Sequence, residues 1–344
     1  MAGAGTGRFF VNTVRILSID GGGIRGIIPA MILAELRQRL DRLRKRQPYC
    51  RLFHLLAGTS TGSLITLGLT APAKAADGSG YCKRPLLNAQ DMVNIYEKRG
   101  LEIFPRQIFS QLQTMRQAFA GKYDSGNFDK VLLETFEDRT ISDALANILV
   151  TSYDLESGRP LIIKKRPGLH TPPDPDFFMR DAARGSSAAP TYFEPVRVRT
   201  LNLDEHYTLI DGGMFANNPA MSAYVEARKI YPFATRFTIL SLGTGRSVRQ
   251  LSYETVKSWG FIDWVLPSNG VPMAMIMSKG QSESVNYQLQ HLPRVDYIRL
   301  EPDLTGCNEA MDDASDKNIA ALKAAAGRLI NQADSELDRV ASLL

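Results

Sequence analysis

Hydrophobic positions along the chain fall into runs of strand length and stripes of helical spacing. Val14-Arg15-Ile16-Leu17-Ser18-Ile19 alternates and is rich in β-branched side chains, which predicts a first core strand ending at Asp20. A glycine loop, Gly21-Gly22-Gly23-Ile24-Arg25-Gly26, follows at once and opens a helix with Pro29 in its first turn. That helix carries apolar residues at Ile32, Leu33, Leu36, Leu40 and Leu43. Its outer face is basic through Arg37, Arg39, Arg42, Arg44, Lys45 and Arg46, the pattern of a solvated face or of a contact with anionic lipid. Leu52 to Leu56 reads as a second buried strand and Ser63 to Leu69 as a buried helix. Strand, helix and strand make a βαβ unit whose two strands are parallel, so the glycine loop and the segment after the second strand should be neighbours above one sheet edge.

Further on, Pro72 to Tyr81 lacks periodicity and predicts a surface loop, and Asn88 to Arg99 has helical spacing. Ile108, Leu112, Met115 and Phe119 form an apolar stripe beside Arg106, Arg116 and Lys122, either a helix packed on the core or a lid or membrane contact over about 104–121. Ile148 to Tyr153 and Leu161 to Lys165 read as paired strands, Phe177 to Ala183 as a short helix, and Gly185 to Pro190 as a tightly packable stretch. Strands are expected at Tyr207–Ile210, Phe237–Leu242 and Val295–Leu300, and one terminal helix over Asp312–Leu344. Both tryptophans, Trp259 and Trp264, fall with Phe261, Met273, Met275, Ile276 and Met277 in about 258–280, which fits a core filler, an acyl-chain pocket or a membrane contact.

Composition narrows the class. The 344 residues are 44% hydrophobic and 22% charged, ordinary for one globular α/β domain, here 14–344 behind an N-terminal extension, 1–13. No apolar run reaches membrane-span length, and Met1 to Thr13 lacks a signal-peptide pattern. Three widely spaced cysteines, Cys50, Cys82 and Cys307, fit reduced thiols in a cytosol, and metal-ligand spacing is absent. A net charge of +5 makes anionic partners such as nucleic acid or acidic membrane plausible without choosing between them.

Chemistry concentrates at Gly58-Thr59-Ser60-Thr61-Gly62, a G-x-S-x-G at a strand-to-helix turn. Glycines two before and two after the serine permit the sharp turn that raises Oγ above the sheet. An attacking serine needs a base and donors for the oxyanion. His54, His170 and His206 are poorly placed as bases, and His291 alone follows Ser60 and Asp211 in the order Ser, Asp, His of an α/β-hydrolase. A partly desolvated carboxylate serves as well, and Asp211, at a strand end before Gly212-Gly213, is the candidate, against the plain reading of a turn aspartate. Backbone N–H groups of Gly21, Gly22 and Gly23 can converge on one anion. The G-x-G-x-x-G spacing of Gly21, Gly23 and Gly26 also raises a dinucleotide site, but Asp41 lies inside the helix instead of ending a second strand.

Four blocks in order resemble the patatin-like phospholipase family: Asp20 to Gly26, Gly58 to Gly62, Ser186-Ser187-Ala188-Ala189-Pro190-Thr191-Tyr192-Phe193-Glu194-Pro195, and Asp211-Gly212-Gly213. Met311-Asp312-Asp313-Ala314-Ser315 is similar too. The resemblance implies a three-layer α/β/α fold with a mostly parallel central sheet and a serine/aspartate dyad, Ser60 and Asp211, at the strand C-terminal ends. Gly21, Gly22 and Gly23 would form the oxyanion hole, with Arg25, Gly58, Gly62, Gly212 and Gly213 as supporting motif residues. It implies a phospholipase A type acyl hydrolase with no cofactor or metal, cytoplasmic, acting on phospholipid by peripheral contact with the inner membrane surface. Some bacterial members are anti-phage effectors activated by cyclic oligonucleotides, and Lys164, Lys165, Arg166, Arg246 and Arg249 are candidate contacts for such an activator or a membrane. DNA and RNA are not expected partners, and a homo-oligomer stays open. The competing readings are a non-catalytic lipid- or nucleotide-binding module and an α/β-hydrolase esterase using His291.

Overall fold

The computed structural model describes residues 11–104, 125–166, 174–248, 251–265 and 272–344. Ten strands are described: β1 (Thr13–Ile19), β2 (Leu55–Thr59), β3 (Pro72–Lys74), β4 (Tyr81–Pro85), β5 (Asn147–Asp154), β6 (Arg159–Lys165), β7 (Val196–Arg199), β8 (His206–Asp211), β9 (Arg236–Leu242) and β10 (Val295–Leu300). The longer helices are α1 (Ile27–Arg42), α2 (Thr61–Thr70), α3 (Ala89–Ile103), α4 (Gly126–Phe136), α5 (Met179–Ser186), α6 (Ala220–Ile230), α7 (Pro272–His291), α8 (Asp316–Gln332) and α9 (Asp334–Leu343). The main sheet runs β10-β9-β1-β2-β5-β8-β7, with β6 also paired to β5. From β10 to β5 every pairing is parallel, and β6, β7 and β8 add antiparallel pairs.

Parallel strands are covered on both faces, and their side chains divide accordingly. Leu17 and Ile19 of β1, Leu56 of β2, and Leu240 and Leu242 of β9 pack into one core with α1, α3, α8 and α9. Val14, Ile16, Leu55, Ala57, Phe237 and Ile239 enter the opposite core with α6 and Leu289 of α7. The result is the mostly parallel α/β/α sandwich expected. Helix α1 has no side-chain N-cap, worth about 1 kcal/mol elsewhere. It buries Ile27, Ile28, Ile32, Leu33, Leu36 and Leu40, at roughly 1.5–3 kcal/mol each, so packing and not its terminus holds it to the sheet.

Several expectations change. Tyr49–Leu52 is a helical turn after Pro48, so the second strand starts at Leu55 and runs into the serine motif. Pro72 to Tyr81 is partly β3 and β4, a small hairpin. The terminal helix is two helices, α8 and α9, broken at Ala333, and the Arg39 guanidinium binds the Asp334 carbonyl and the Asp334 and Asp338 carboxylates at the start of α9. Leu43 is exposed instead of facing the core. The basic face of α1 is largely committed within the chain: Arg37 pairs with Asp41, Arg39 also with Glu35, and Lys45 donates to the Ala341 and Ser342 carbonyls. Most of the apolar stripe at 104–121 lies outside the described residues, as do His170 and Arg249. Among the described residues, no helix is long and apolar enough to cross a membrane.

Candidate active site

Two strands that approach β5 from opposite directions bring the site together. β2 pairs with β5 as far as Thr59 opposite Thr151, and β8 takes over the same edge with Asp211 opposite Ser152. The C-terminal ends of β2 and β8 therefore abut, and Ser60 and Asp211, 151 positions apart in sequence, become neighbours. Thr59 Oγ1 and Thr151 Oγ1 hydrogen-bond at 2.7 Å across the junction, and Thr59 Oγ1 also donates to the Ala216 carbonyl at 2.6 Å. Gly212 makes the contact sterically feasible, since a Cβ there would lie 2.2 Å from Thr151 Oγ1.

Ser60 sits at φ +53°, ψ −121°, a conformation a side-chain-bearing residue adopts only under constraint. The constraint is visible on every side. A Cβ on Gly58 would lie 2.2 Å from the Gly62 carbonyl oxygen, and one on Gly62 would lie 2.1 Å from that of Ile19. The Ser60 N–H donates to Ser186 Oγ at 2.9 Å, and its carbonyl accepts from Ser63 N–H and Oγ at 2.8 and 2.6 Å. This is the expected sharp elbow, and Ser186, on α5, is its third support.

Asp211 is buried, and burial pushes its carboxyl up to about 6, opposed by the Gly213 N–H at 2.7 Å and by a hydrogen bond with the Ser60 side chain. Desolvation thus moves a carboxylate toward the range of a working base while leaving it joined to the serine.

The glycine loop lies directly above. A Cβ on Gly21 would stand 3.2 Å from Ser60 Cβ, one on Gly22 2.2 Å from Thr244 Oγ1, and one on Gly23, at φ +58°, 2.1 Å from the Met311 carbonyl oxygen. The Gly21 N–H already donates to the Asn217 carbonyl at 3.1 Å. Among the described residues the N–H groups of Gly22 and Gly23 donate to no protein acceptor, so two donors remain for an anion where three were expected. Asp20, which leads into the loop, is buried and held by both terminal nitrogens of Arg299 at 2.9 and 2.6 Å. Burial pushes the Asp20 carboxyl up and the guanidinium pulls it back. Arg25 turns inward and donates to the Gly22 carbonyl at 3.3 Å; burial lowers its guanidinium, against the attraction of Glu301.

Ser60, Asp211 and Gly23 open on a cleft walled by Leu64, Tyr96, Phe104, Phe128, Tyr192 and Phe193. Leu64, Tyr96, Ile103 and Phe128 also line a second, small and largely apolar cavity between α3 and α4. One buried polar atom faces the cleft without a protein partner, Ser187 Oγ. A serine-rich turn gives no signal that singles this residue out.

No described histidine lines the cleft. His291 is exposed at the end of α7, with Nδ1 against the Tyr287 carbonyl at 2.7 Å, so its placement does not support the His-based esterase. His54 accepts from the Arg15 N–H, and burial with the Arg15 charge lowers it to about 4. His206 is exposed at the start of β8. The basic residues considered for a nucleotide or membrane are engaged too: Lys164 and Arg166 pair with Asp174 and Glu226, Arg246 with Asp303, and Lys165 donates to the Ala144 carbonyl.

Comparison with known proteins agrees with this geometry. A family model described as patatin-like phospholipase matches residues 17–224, which span the glycine loop, the Ser60 elbow and Asp211. Patatin-like protein 2 of Arabidopsis thaliana is 33% identical over 348 residues, covering 93% of this chain and 84% of that protein. Patatin-2-Kuras 3 of Solanum tuberosum is 30% identical over 343 residues, covering 93% and 84%. The crystal structure of VipD from Legionella pneumophila overlays with a TM-score of 0.34 at 14% identity, covering 94% of this chain and 67% of that one, and the assignment rests on the sequence relatives instead. With more than half its length matched and its motifs assembled at one sheet edge, the chain belongs to the patatin-like phospholipase family.

Proposed function

We propose that this lipid acyl hydrolase is a phospholipase of the A type that works through a Ser60–Asp211 dyad. The observation that carries the reading is a constrained serine beside a buried carboxylate in an apolar cleft. Asp211 takes the hydroxyl proton as Ser60 Oγ adds to the ester carbonyl, and the oxyanion lies against the Gly22 and Gly23 N–H groups. Collapse breaks the ester C–O bond, and the departing lysolipid alkoxide takes the proton held by Asp211. Water then gives a proton to Asp211 and its oxygen to the acyl carbon, Ser60 recovers its proton, and the fatty acid leaves. The apolar walls of the cleft, and the apolar side chains beyond it between α3 and α4, suit an acyl chain in chemistry.

A fluorophosphonate probe is expected to label the Ser60 peptide, and the protein to release fatty acid from phosphatidylcholine dispersed in detergent. Folded protein that is neither labelled nor active on this lipid would leave the binding-module reading in its place.

Because Asp211 must be ionised to accept a proton, acidification inactivates. The rate constant kcat/KM on a soluble ester is expected to fall about tenfold per pH unit below about 6. A profile flat down to pH 4 in still-folded protein would remove Asp211 from the role of base.

A further inference from the structure

On the α7 side of the sheet, a group of apolar side chains is exposed. Tyr253, Phe261 and Ile262 are 75%, 77% and 65% exposed, far beyond what isolated surface hydrophobics require. α7 begins Pro272-Met273-Ala274-Met275-Ile276-Met277, six consecutive apolar residues, yet Pro272 is the one buried residue of its first half, and Ile276 and Met277 are exposed. A helical turn apolar on all sides normally belongs in a core or a lipid phase, and such a run left in water is an error unless it has a use. Trp259 and Trp264 pack edge to face at 5.0 Å beside it. Charge is a minor part of this patch: Lys257 pairs with Glu254 and the Asp263 carboxylate accepts the Gly260 N–H at 2.9 Å, while Lys279, one turn beyond Ile276, is an exposed cation.

The patch is tied to the catalytic turn. Gln281 of α7 accepts the Asn217 N–H at 2.6 Å and donates to the Phe215 carbonyl, while the Asn217 carbonyl takes the Gly21 N–H at 3.1 Å. Met214, three residues after Asp211, is half exposed on the same turn.

We propose that Tyr253, Phe261, Ile262, Ile276, Met277 and the tryptophan pair form a docking face that enters the interfacial layer of a phospholipid bilayer and seats the Ser60 cleft on it. The proposal rests on the phospholipase reading, because a bilayer is the one partner from which that cleft must draw its substrate. Aromatic rings that are apolar in body and polar at one edge suit the headgroup boundary, and one exposed cation, Lys279, among paired charges leaves insertion, more than attraction to anionic lipid, as the main contact.

Trp259 and Trp264 are the chain's two tryptophans, so intrinsic fluorescence reads this face directly. Ser60→Ala protein, unable to turn lipid over, is mixed with phosphatidylcholine vesicles with and without brominated acyl chains. The expected result is co-sedimentation with a blue-shifted emission that brominated lipid quenches, little changed by added salt. Phe261→Asp with Ile262→Asp in the active protein should weaken vesicle binding roughly 10- to 100-fold. It should slow hydrolysis of vesicle lipid to match and leave hydrolysis of a soluble short-chain ester unchanged. Vesicle binding without a tryptophan shift would overturn the proposal, as would no binding by a protein that still hydrolyses detergent-dispersed lipid. So would a dimer in analytical ultracentrifugation that the same double substitution dissociates. Inactivity on every ester, with vesicle binding and the tryptophan shift intact, would instead remove the phospholipase reading.

Discussion

Asp211→Asn is expected to lower kcat for ester hydrolysis by about 10²–10⁴-fold while leaving a protein more stable than the parent above pH 6. Asparagine keeps an oxygen for the Gly213 N–H and the volume of the site, but it cannot take the Ser60 proton. The stability change follows from the direction in which burial moves the carboxyl. Burial holds Asp211 above its ordinary value, so the folded protein keeps this proton longer than the unfolded chain does. The folded state is therefore favoured at low pH and loses that advantage as pH rises through about 6, by about 1.4 kcal/mol for every tenfold by which burial weakens the acid. Melting temperatures of parent and variant should converge near pH 4 and separate near pH 8, with the variant higher. Ser60→Ala should cost at least as much activity, and the Ser60→Ala, Asp211→Asn double variant should fall no further, because two groups acting as one unit are lost together. His291→Ala should keep most of the activity. Additive losses from Ser60 and Asp211, or an active, folded Asp211→Asn protein, would separate the two residues and end the dyad reading.

Why Ser60 and Asp211 were readable from sequence, and other parts of the site were not, comes down to how local the determining contacts are. β1 and β9 are buried on both faces and stand out as apolar runs, Ser60 directly follows the buried β2, and Asp211 ends β8, whose last three residues are buried. The elbow is local as well: Gly58 and Gly62 lie within two residues of Ser60, and their contacts with the chain require glycine. By contrast, α6 buries Ala220, Ala223, Glu226 and Ala227, small or charged positions that leave no hydrophobic stripe. The loss of Gly21 as an anion donor depends on Asn217, almost two hundred positions away, and Ser186 supports Ser60 from 126 positions away. Charge runs misled for the same reason. Arg39, Lys164 and Arg166 look free in sequence, but counter-charges reach them from other elements or from across a loop.

Arg299 is the sharpest case, and its removal should have the largest effect on the fold. Strand register places Ser18, Ser241 and Arg299 in one row across β1, β9 and β10, and from there the guanidinium reaches both oxygens of Asp20. It also donates to Ser241 Oγ at 2.8 Å and lies 3.1 Å from the Glu301 carboxylate. Arg299→Leu preserves an apolar stem but leaves Asp20 ionised and buried without a counter-charge, a change that destabilises by about 3–5 kcal/mol in comparable pairs. Burial then raises the Asp20 carboxyl without opposition, so the penalty should be small where Asp20 is protonated and grow as pH rises through its new, higher value. Asp20→Asn added to Arg299→Leu should recover much of the stability, because the orphaned charge is gone. Activity should not return with it, since the clamp that fixes the start of the Gly21–Gly23 loop above Ser60 is still missing. Urea unfolding at pH 5 and pH 8, with ester hydrolysis on the same samples, separates these effects. An Arg299→Leu protein as stable as the parent at pH 8 would show that the pair contributes nothing to the fold, and full activity in the double variant would show that the glycine loop holds its geometry without it.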